Sequence, residues 1–177
     1  MRRTTATTEY LKECMGTALL ELMREKPLEK ISIEEMTAKA DVGRSTYFRY
    51  FKSKEEVLSF KIHCMWKQFC EERSATTLKS GSSEEIRLFF DFCLFLRPVN
   101  DMLYAGGHQN AILDAYTQII DPTRQQDDIQ SYYLNSFLAY GVFGLVNAWI
   151  LRGYQESPRE MEHIIRAWME RSQAEKK

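Results

Sequence analysis

Ile33-Glu34-Glu35-Met36-Thr37-Ala38-Lys39-Ala40, then Asp41-Val42-Gly43, then Arg44-Ser45-Thr46-Tyr47-Phe48-Arg49-Tyr50 reads as two short helices joined by a three-residue turn. Ser32 and Glu35 have the spacing of a capping box, which starts the first helix by satisfying its free amides. Ile33, Met36, Thr37 and Ala40 recur on one face, so that helix can lie on a core. Asp41 tolerates the left-handed backbone a tight turn requires. The second helix carries cationic and hydroxyl groups at its N-terminal end, and Tyr47 with Phe51 as packing residues. Two helices of this kind fit a helix-turn-helix, whose second helix enters a DNA major groove.

The chemistry required of a recognition helix is present. Arg44 can donate a bidentate pair to guanine, and Ser45 and Thr46 stand beside it where base edges lie. Lys39, Arg49, Lys52 and Lys54 add a local cation cluster against one nearby acid, Asp41. Tyr50, Lys52 and Lys54 are placed to meet backbone phosphates. The whole chain has a formal net charge of -1, so any affinity for nucleic acid must come from this face. The acidic surplus lies later, in Asp127, Asp128, Glu156, Glu160 and Glu162. Arg2 and Arg3 read either as a disordered end or as an arm for the minor groove.

Outward from this unit the chain reads as helix after helix, with no strand alternation, repeat or low-complexity tract. Leu11, Cys14, Met15, Ala18, Leu19 and Leu22 stripe a first helix that Pro27 stops. Ser53 with Glu56 caps a long fourth helix striped by Leu58, Ile62, Met65, Trp66 and Phe69. Ser74 to Ser83 reads as a loop. Ser82 with Glu85 caps a fifth helix that ends before Pro98 and is apolar nearly all round, which predicts central burial. After the Gly106-Gly107 break, Ala111, Ile112, Ala115, Tyr116 and Ile119 mark another helix, closed by Asp121-Pro122. A long helix from about Asp127 to Gly153 follows, and Ser157-Pro158-Arg159-Glu160 opens the last.

The composition is that of an ordinary globular chain, with 44% hydrophobic and 28% charged residues in 177. Cys14, Cys64, Cys70 and Cys93 show no CxxC spacing and sit in apolar patterns, so they read as free core thiols of a reducing cytosol. His63, His108 and His163 have no metal-ligand spacing, and neither a metal nor a cofactor is expected. No apolar signal core follows the basic N-terminus. The longest apolar run, Phe137 to Leu151, falls short of the ~20 residues of a membrane span. A cytoplasmic protein with no membrane partner is the expectation.

Two features point beyond DNA. Phe89, Phe90, Phe92, Cys93, Phe95, Met102, Tyr116 and Phe137 are dense in aromatic and apolar groups, with Asp91, Arg97, His108 and Asn147 as polar anchors. They read either as plain core or as the walls of a small-molecule site between the fifth and the long penultimate helix. The last two helices also carry more apolar residues than one face needs. Tyr140, Gly144 and Ala148, with Ile164, Ile165 and Trp168, suggest an interface between two copies about a two-fold axis, and Gly141 and Gly144 would allow close approach.

From Ile31 to Leu58 the sequence resembles the DNA-binding signature of the TetR/AcrR family of transcriptional regulators, a many-position pattern covering roughly residues 7–60. Phe137 to Trp149, followed by Ser157-Pro158, resembles the C-terminal domain of one common subgroup. The resemblance implies an all-α fold. A three-helix helix-turn-helix domain at 1–53 would precede a helical ligand-binding and dimerisation domain at 54–177. It implies a homodimer, a palindromic double-stranded operator and a small-molecule effector. Carried over by position, the family's phosphate-contacting tyrosine falls on Phe48, its turn glycine on Asp41 and its serine cap on Gly43. Phe48 lacks the hydroxyl, and Tyr50 offers a phenol nearby.

The candidate sites are therefore Lys39, Arg44, Ser45, Thr46, Phe48, Arg49, Tyr50, Lys52 and Lys54 for DNA, and Phe89, Phe90, Cys93, Arg97, Met102, Tyr116 and Phe137 for a ligand. A repressor is the primary reading, with an activator of the same fold beside it. An enzyme on a helical bundle would need a nucleophile–base pair, metal cluster or cofactor motif, and none is visible. A helical interaction protein that has lost DNA binding is supported only by Phe48.

Overall fold

A computed structural model describes residues 2–73, 82–120 and 129–174, with side chains over 7–73, 82–120 and 129–171. Among them the regular elements are all helical. They are α1 (Arg2–Met23), a 3-10 turn (Leu28–Lys30), α2 (Ile33–Lys39), α3 (Arg44–Tyr50), α4 (Lys54–Glu72), α5 (Ser83–Phe95), α6 (Arg97–Ala105), α7 (Asn110–Ile120), α8 (Ile129–Leu151) and α9 (Pro158–Ala174). Of the expected loop Ser74–Ser83, residues 74–81 lie outside the described residues, as do the Asp121-Pro122 stop and the start of the long helix at Asp127; Ser82 is already the cap of α5 and Ser83 its first residue.

The capping signals act where the sequence puts them. Ser32, Ser53 and Ser82 accept from the amides of Glu35, Glu56 and Glu85, and Ser157 accepts from the Glu160 amide. Each hydroxyl satisfies an amide the helix itself leaves free. Asp41 takes φ 53 and closes the turn between α2 and α3. The backbone at Arg2 and Arg3 is already helical, so α1 begins there rather than after an extended arm.

One continuous apolar core joins the first helices to the last. Met15, Leu19 and Leu22 of α1 meet Met36 of α2, Tyr47 of α3 and the first turns of α4. Helix α4 lies between α1 and α7, α7 lies against α8, and α5 against α9. Gly16 marks how closely α1 approaches α4: a Cβ there would stand 2.6 Å from Lys61 Cβ.

Two expectations change. The fifth helix is not buried all round: Phe89, Phe90, Phe92 and Cys93 are buried, whereas Phe95 is 57% exposed and Leu94 is also exposed. The chain turns at Leu96, and the stretch from Arg97 to Ala105, to which the sequence pattern assigned no element, is helix α6. Pro98 sits in its first turn, where a missing N–H costs nothing. The apolar run alone is short, but α8 as a whole is 23 residues and passes for a spanning helix by length and composition. It nevertheless packs one face on α7, burying Ala139, Val146, Trp149 and Ile150.

Candidate nucleic-acid interface and candidate ligand core

Helix α3 turns only Tyr47 fully inward, where its ring meets those of Phe48 and Phe51. The rest of the helix is available. Arg44, Ser45, Phe48, Arg49 and Tyr50 are exposed and Thr46 is half-buried. Gly43 caps the helix in extended backbone without a side-chain bond, and its carbonyl accepts from the Thr46 amide at 2.9 Å.

The cations are not all equally free. Arg44 lies 2.7 Å from Glu34 on α2, and both side chains are more than half exposed. Lys39 lies 3.2 Å from Glu21 on α1, in the groove that Tyr10, Glu13, Cys14 and Thr17 line, of about 420 Å³. Arg49 and Lys52 are exposed, and the Lys52 amide donates to the Glu56 carboxylate. Lys54 departs from its expected role. Its ammonium donates to the carbonyls of Leu28 and Ile31, the second at 2.8 Å. It thereby closes the 3-10 turn onto α4, so its charge is engaged in the fold rather than offered to phosphate. Side-chain bonds from Thr8 and Arg49 pull the Tyr50 phenol below its ordinary value, and Lys12 stands 5.9 Å from its ring. Thr8 and Lys12 of α1 thus belong to this surface, although nothing in the sequence marked them, because they meet Tyr50 only across the fold.

The proposed ligand residues divide. Phe89, Phe90, Cys93 and Tyr116 come together and are buried, and Met102 packs against the same core. Arg97 and Phe137 do not join them. Arg97 pairs with Asp101 at 3.5 Å and lies over the Tyr154 ring, and Phe137 is 69% exposed. The anchor Asp91 is exposed as well. The buried rings fill the space with one another. Phe89 meets Trp66 and Tyr116 edge-on, and Phe90 meets Trp149. That is the arrangement of a close-packed core. Polar groups are threaded through it. Cys93 Sγ lies 3.2 Å from the Tyr116 hydroxyl, Asn100 donates to the Cys93 carbonyl, and Tyr104 donates to Asn147. Asn100 Oδ1 is buried with no partner. Burial pushes the Tyr116 hydroxyl well above its ordinary value and the Cys93 thiol up to about 12.

The interface residues form a surface. Along α8, Phe137, Tyr140, Gly141, Gly144, Leu145, Ala148 and Leu151 are exposed on the side away from α7. On α9, Ile164 and Trp168 are exposed and Ile165 is half-buried against the core. A Cβ added at Gly141 or Gly144 would meet nothing within 4 Å. Among the described residues no cluster of His, Cys, Asp or Glu could hold a metal ion.

Residues 17–59 match the family model described as bacterial regulatory proteins, tetR family, and residues 107–171 match one described as transcriptional regulator C-terminal region. No curated protein matches the chain.

Proposed function

Because the chain belongs to the TetR family of transcriptional regulators, we propose that it binds a palindromic operator as a homodimer and represses the genes beside it. The observation that carries the DNA part is α3 itself: one residue anchors it, while Arg44, Ser45, Phe48, Arg49 and Tyr50 are exposed. Residues 1–53 are the reading head and 54–177 the assembly and sensing part. Arg44 reads a base, and Arg49, Tyr50 and Lys52 hold phosphates. Cytoplasmic localisation follows from that role.

The dimer rests on the apolar strip of α8 and α9. A strip with Phe137, Tyr140, Leu145, Leu151, Ile164 and Trp168 open to water is covered by the same strip of a second copy. Gly141, Gly144 and Ala148 let the two α8 helices approach. The two recognition helices then meet half-sites about one DNA turn, or a multiple, apart. Repression is steric occupation of the operator. A small molecule that relieves it would enter near Asn100, whose buried carbonyl oxygen has a vacant acceptor site for a ligand N–H or O–H, after the surrounding rings part.

Selection of bound genomic fragments, followed by sequencing and gel shift, tests this reading. A tight fragment with dyad symmetry is the expected result. A protein that enriches no fragment is an interaction module rather than a regulator of DNA.

A further inference from the structure

The turn between α8 and α9 holds Tyr154 in a conformation that ending the helix does not require. Gly153 takes φ +74 and closes α8 in the left-handed region that glycine enters freely. Tyr154 follows at φ 58, where its Cβ makes the backbone costly and only the surroundings can hold it. Those surroundings are the edge of the core, on which Tyr154 is half-buried. Its ring meets Trp149 edge-on at 5.1 Å, and the Arg97 guanidinium lies over it at 4.8 Å. Its hydroxyl reaches Asp101 only at 3.4 Å, longer than a good O–H···O bond. Burial pushes that hydroxyl up to about 12, and a side-chain hydrogen bond from Asn100 opposes the rise. Asn100 itself is fully buried. Its amide also donates to the Cys93 carbonyl at 3.2 Å, while its Oδ1 has no partner. A loosely bonded phenol on a strained backbone thus stands against a buried amide with its acceptor unused.

We propose that Tyr154 is the gate and placeholder of a small-molecule site, and that the ligand is a small neutral aromatic carboxamide whose ring replaces the Tyr154 ring beside Trp149 and whose amide pairs with that of Asn100. The inference rests on the effector reading above and deepens it. The ring follows from the space the phenol would leave, which holds one aromatic ring against the Trp149 indole. The carboxamide follows from Asn100. That side chain presents an N–H and an unpaired C=O on one plane, and a ligand amide returns a C=O to the first and an N–H to the second. Neutrality follows from the neighbours. Arg97 and Asp101 already pair with each other, and the Cys93 thiol and the Tyr116 hydroxyl are both raised by burial and stay uncharged. A charged ligand would lose its hydration there without gaining a counter-ion. A return of Tyr154 to negative φ carries its ring off Trp149 and releases the backbone strain, so the gate opens without unwinding a helix.

The probe is benzamide, titrated by ligand-detected NMR against the full chain as wild type, Tyr154→Gly and Tyr154→Phe, with toluene and benzoate as comparison ligands. Tyr154→Gly removes the gate and suits the left-handed backbone. It should bind benzamide about 10-fold more tightly than wild type, because no closed fraction counts against binding. Tyr154→Phe keeps the ring and its packing but not the hydroxyl, and should fall between the two; it decides alone if Tyr154→Gly does not fold. Asn100→Leu added to either Tyr154 variant should weaken benzamide roughly 10-fold and leave toluene unchanged. Equal benzamide affinity in wild type and the Tyr154 variants overturns the gate. Benzoate or toluene bound as tightly as benzamide, or benzamide indifferent to Asn100→Leu, overturns the carboxamide pairing. Anisotropy with the selected operator separates this site from the wider reading. Benzamide that binds as expected yet leaves operator affinity unchanged overturns the effector reading and keeps the site.

Discussion

The Arg44 guanidinium lies 2.7 Å from the Glu34 carboxylate, so the side chain best placed to reach a base is held at its free end by an anion on the preceding helix. Both groups are exposed, and such pairs contribute only about 0–1 kcal/mol. On the reading proposed above, DNA displaces Glu34, and the pair aims Arg44 without locking it.

Arg44→Ala should cost about 1–3 kcal/mol at the selected operator and relax preference at one base position. Glu34→Gln should instead tighten binding by up to about 1 kcal/mol, since it removes a competing anion. Anisotropy titrations at one salt concentration distinguish them. Equal affinities for Arg44→Ala and wild type would move the reading helix elsewhere.

Lys54 and Lys52 should behave oppositely. Lys54 joins α4 to the carbonyls of Leu28 and Ile31, so Lys54→Met should lower stability by about 1.5–3 kcal/mol, the scale of a hydrogen bond to a charged group. Lys52→Ala should leave stability within about 0.5 kcal/mol and flatten the salt dependence of DNA binding by about one unit of slope. Denaturant melts and salt titrations check the two.

Gly144 has open space around it in the monomer. Gly144→Phe should therefore leave the helical fold intact, as read by circular dichroism, while separating the dimer. Light scattering at micromolar concentration should then show one copy where the wild type shows two. A wild-type particle of 20.8 kDa would remove the dimer.

The four thiols should react in a set order. Cys70 and Cys93 are buried, and Cys14 and Cys64 partly so. Burial pushes Cys64 up to about 11 and Cys93 up to about 12, and raises Cys70. Only the thiolate attacks, so native alkylation followed by mass spectrometry should label Cys14 first and Cys93 only on unfolding.

Acid should weaken the joint between α1 and α2. The Lys26 ammonium bonds Glu35 at 2.6 Å and, with a hydrogen bond from the Ser32 backbone amide, holds its carboxyl below the ordinary glutamate value. That contribution is full above the unfolded value and is lost as pH falls through the lowered one. Glu35→Gln should thus be less stable than wild type near neutrality, and the gap should close in acid when melts are compared across pH.

The helix-turn-helix was legible because its signals are local. Capping pairs three residues apart, a three-residue turn and a 3.6-residue stripe are all written within one or two helical turns of chain. They place α2, α3 and the start of α4 where the structure has them, with Asp41 in the left-handed turn. Helix α6 escaped because Pro98 reads as a stop and is in fact in a first turn.

What tertiary structure alone decided is which groups meet across long stretches of chain. Helix α8 is apolar on every side, so its sequence could not tell the face on α7 from the face left open. Packing buries Val146 and Trp149 and leaves Phe137 and Tyr140 outside. Lys54 and Lys52 are both lysines beside a helix start, yet only Lys54 finds two carbonyls within reach. His108 looked like an isolated histidine because Glu29 and Glu55 lie far from it in sequence and become neighbours only when the α6–α7 turn folds back. Local patterns fix helices because hydrogen bonds and side-chain pairs within a helix span three or four residues. Partners across the fold depend on how finished helices pack, and no short window of sequence records that.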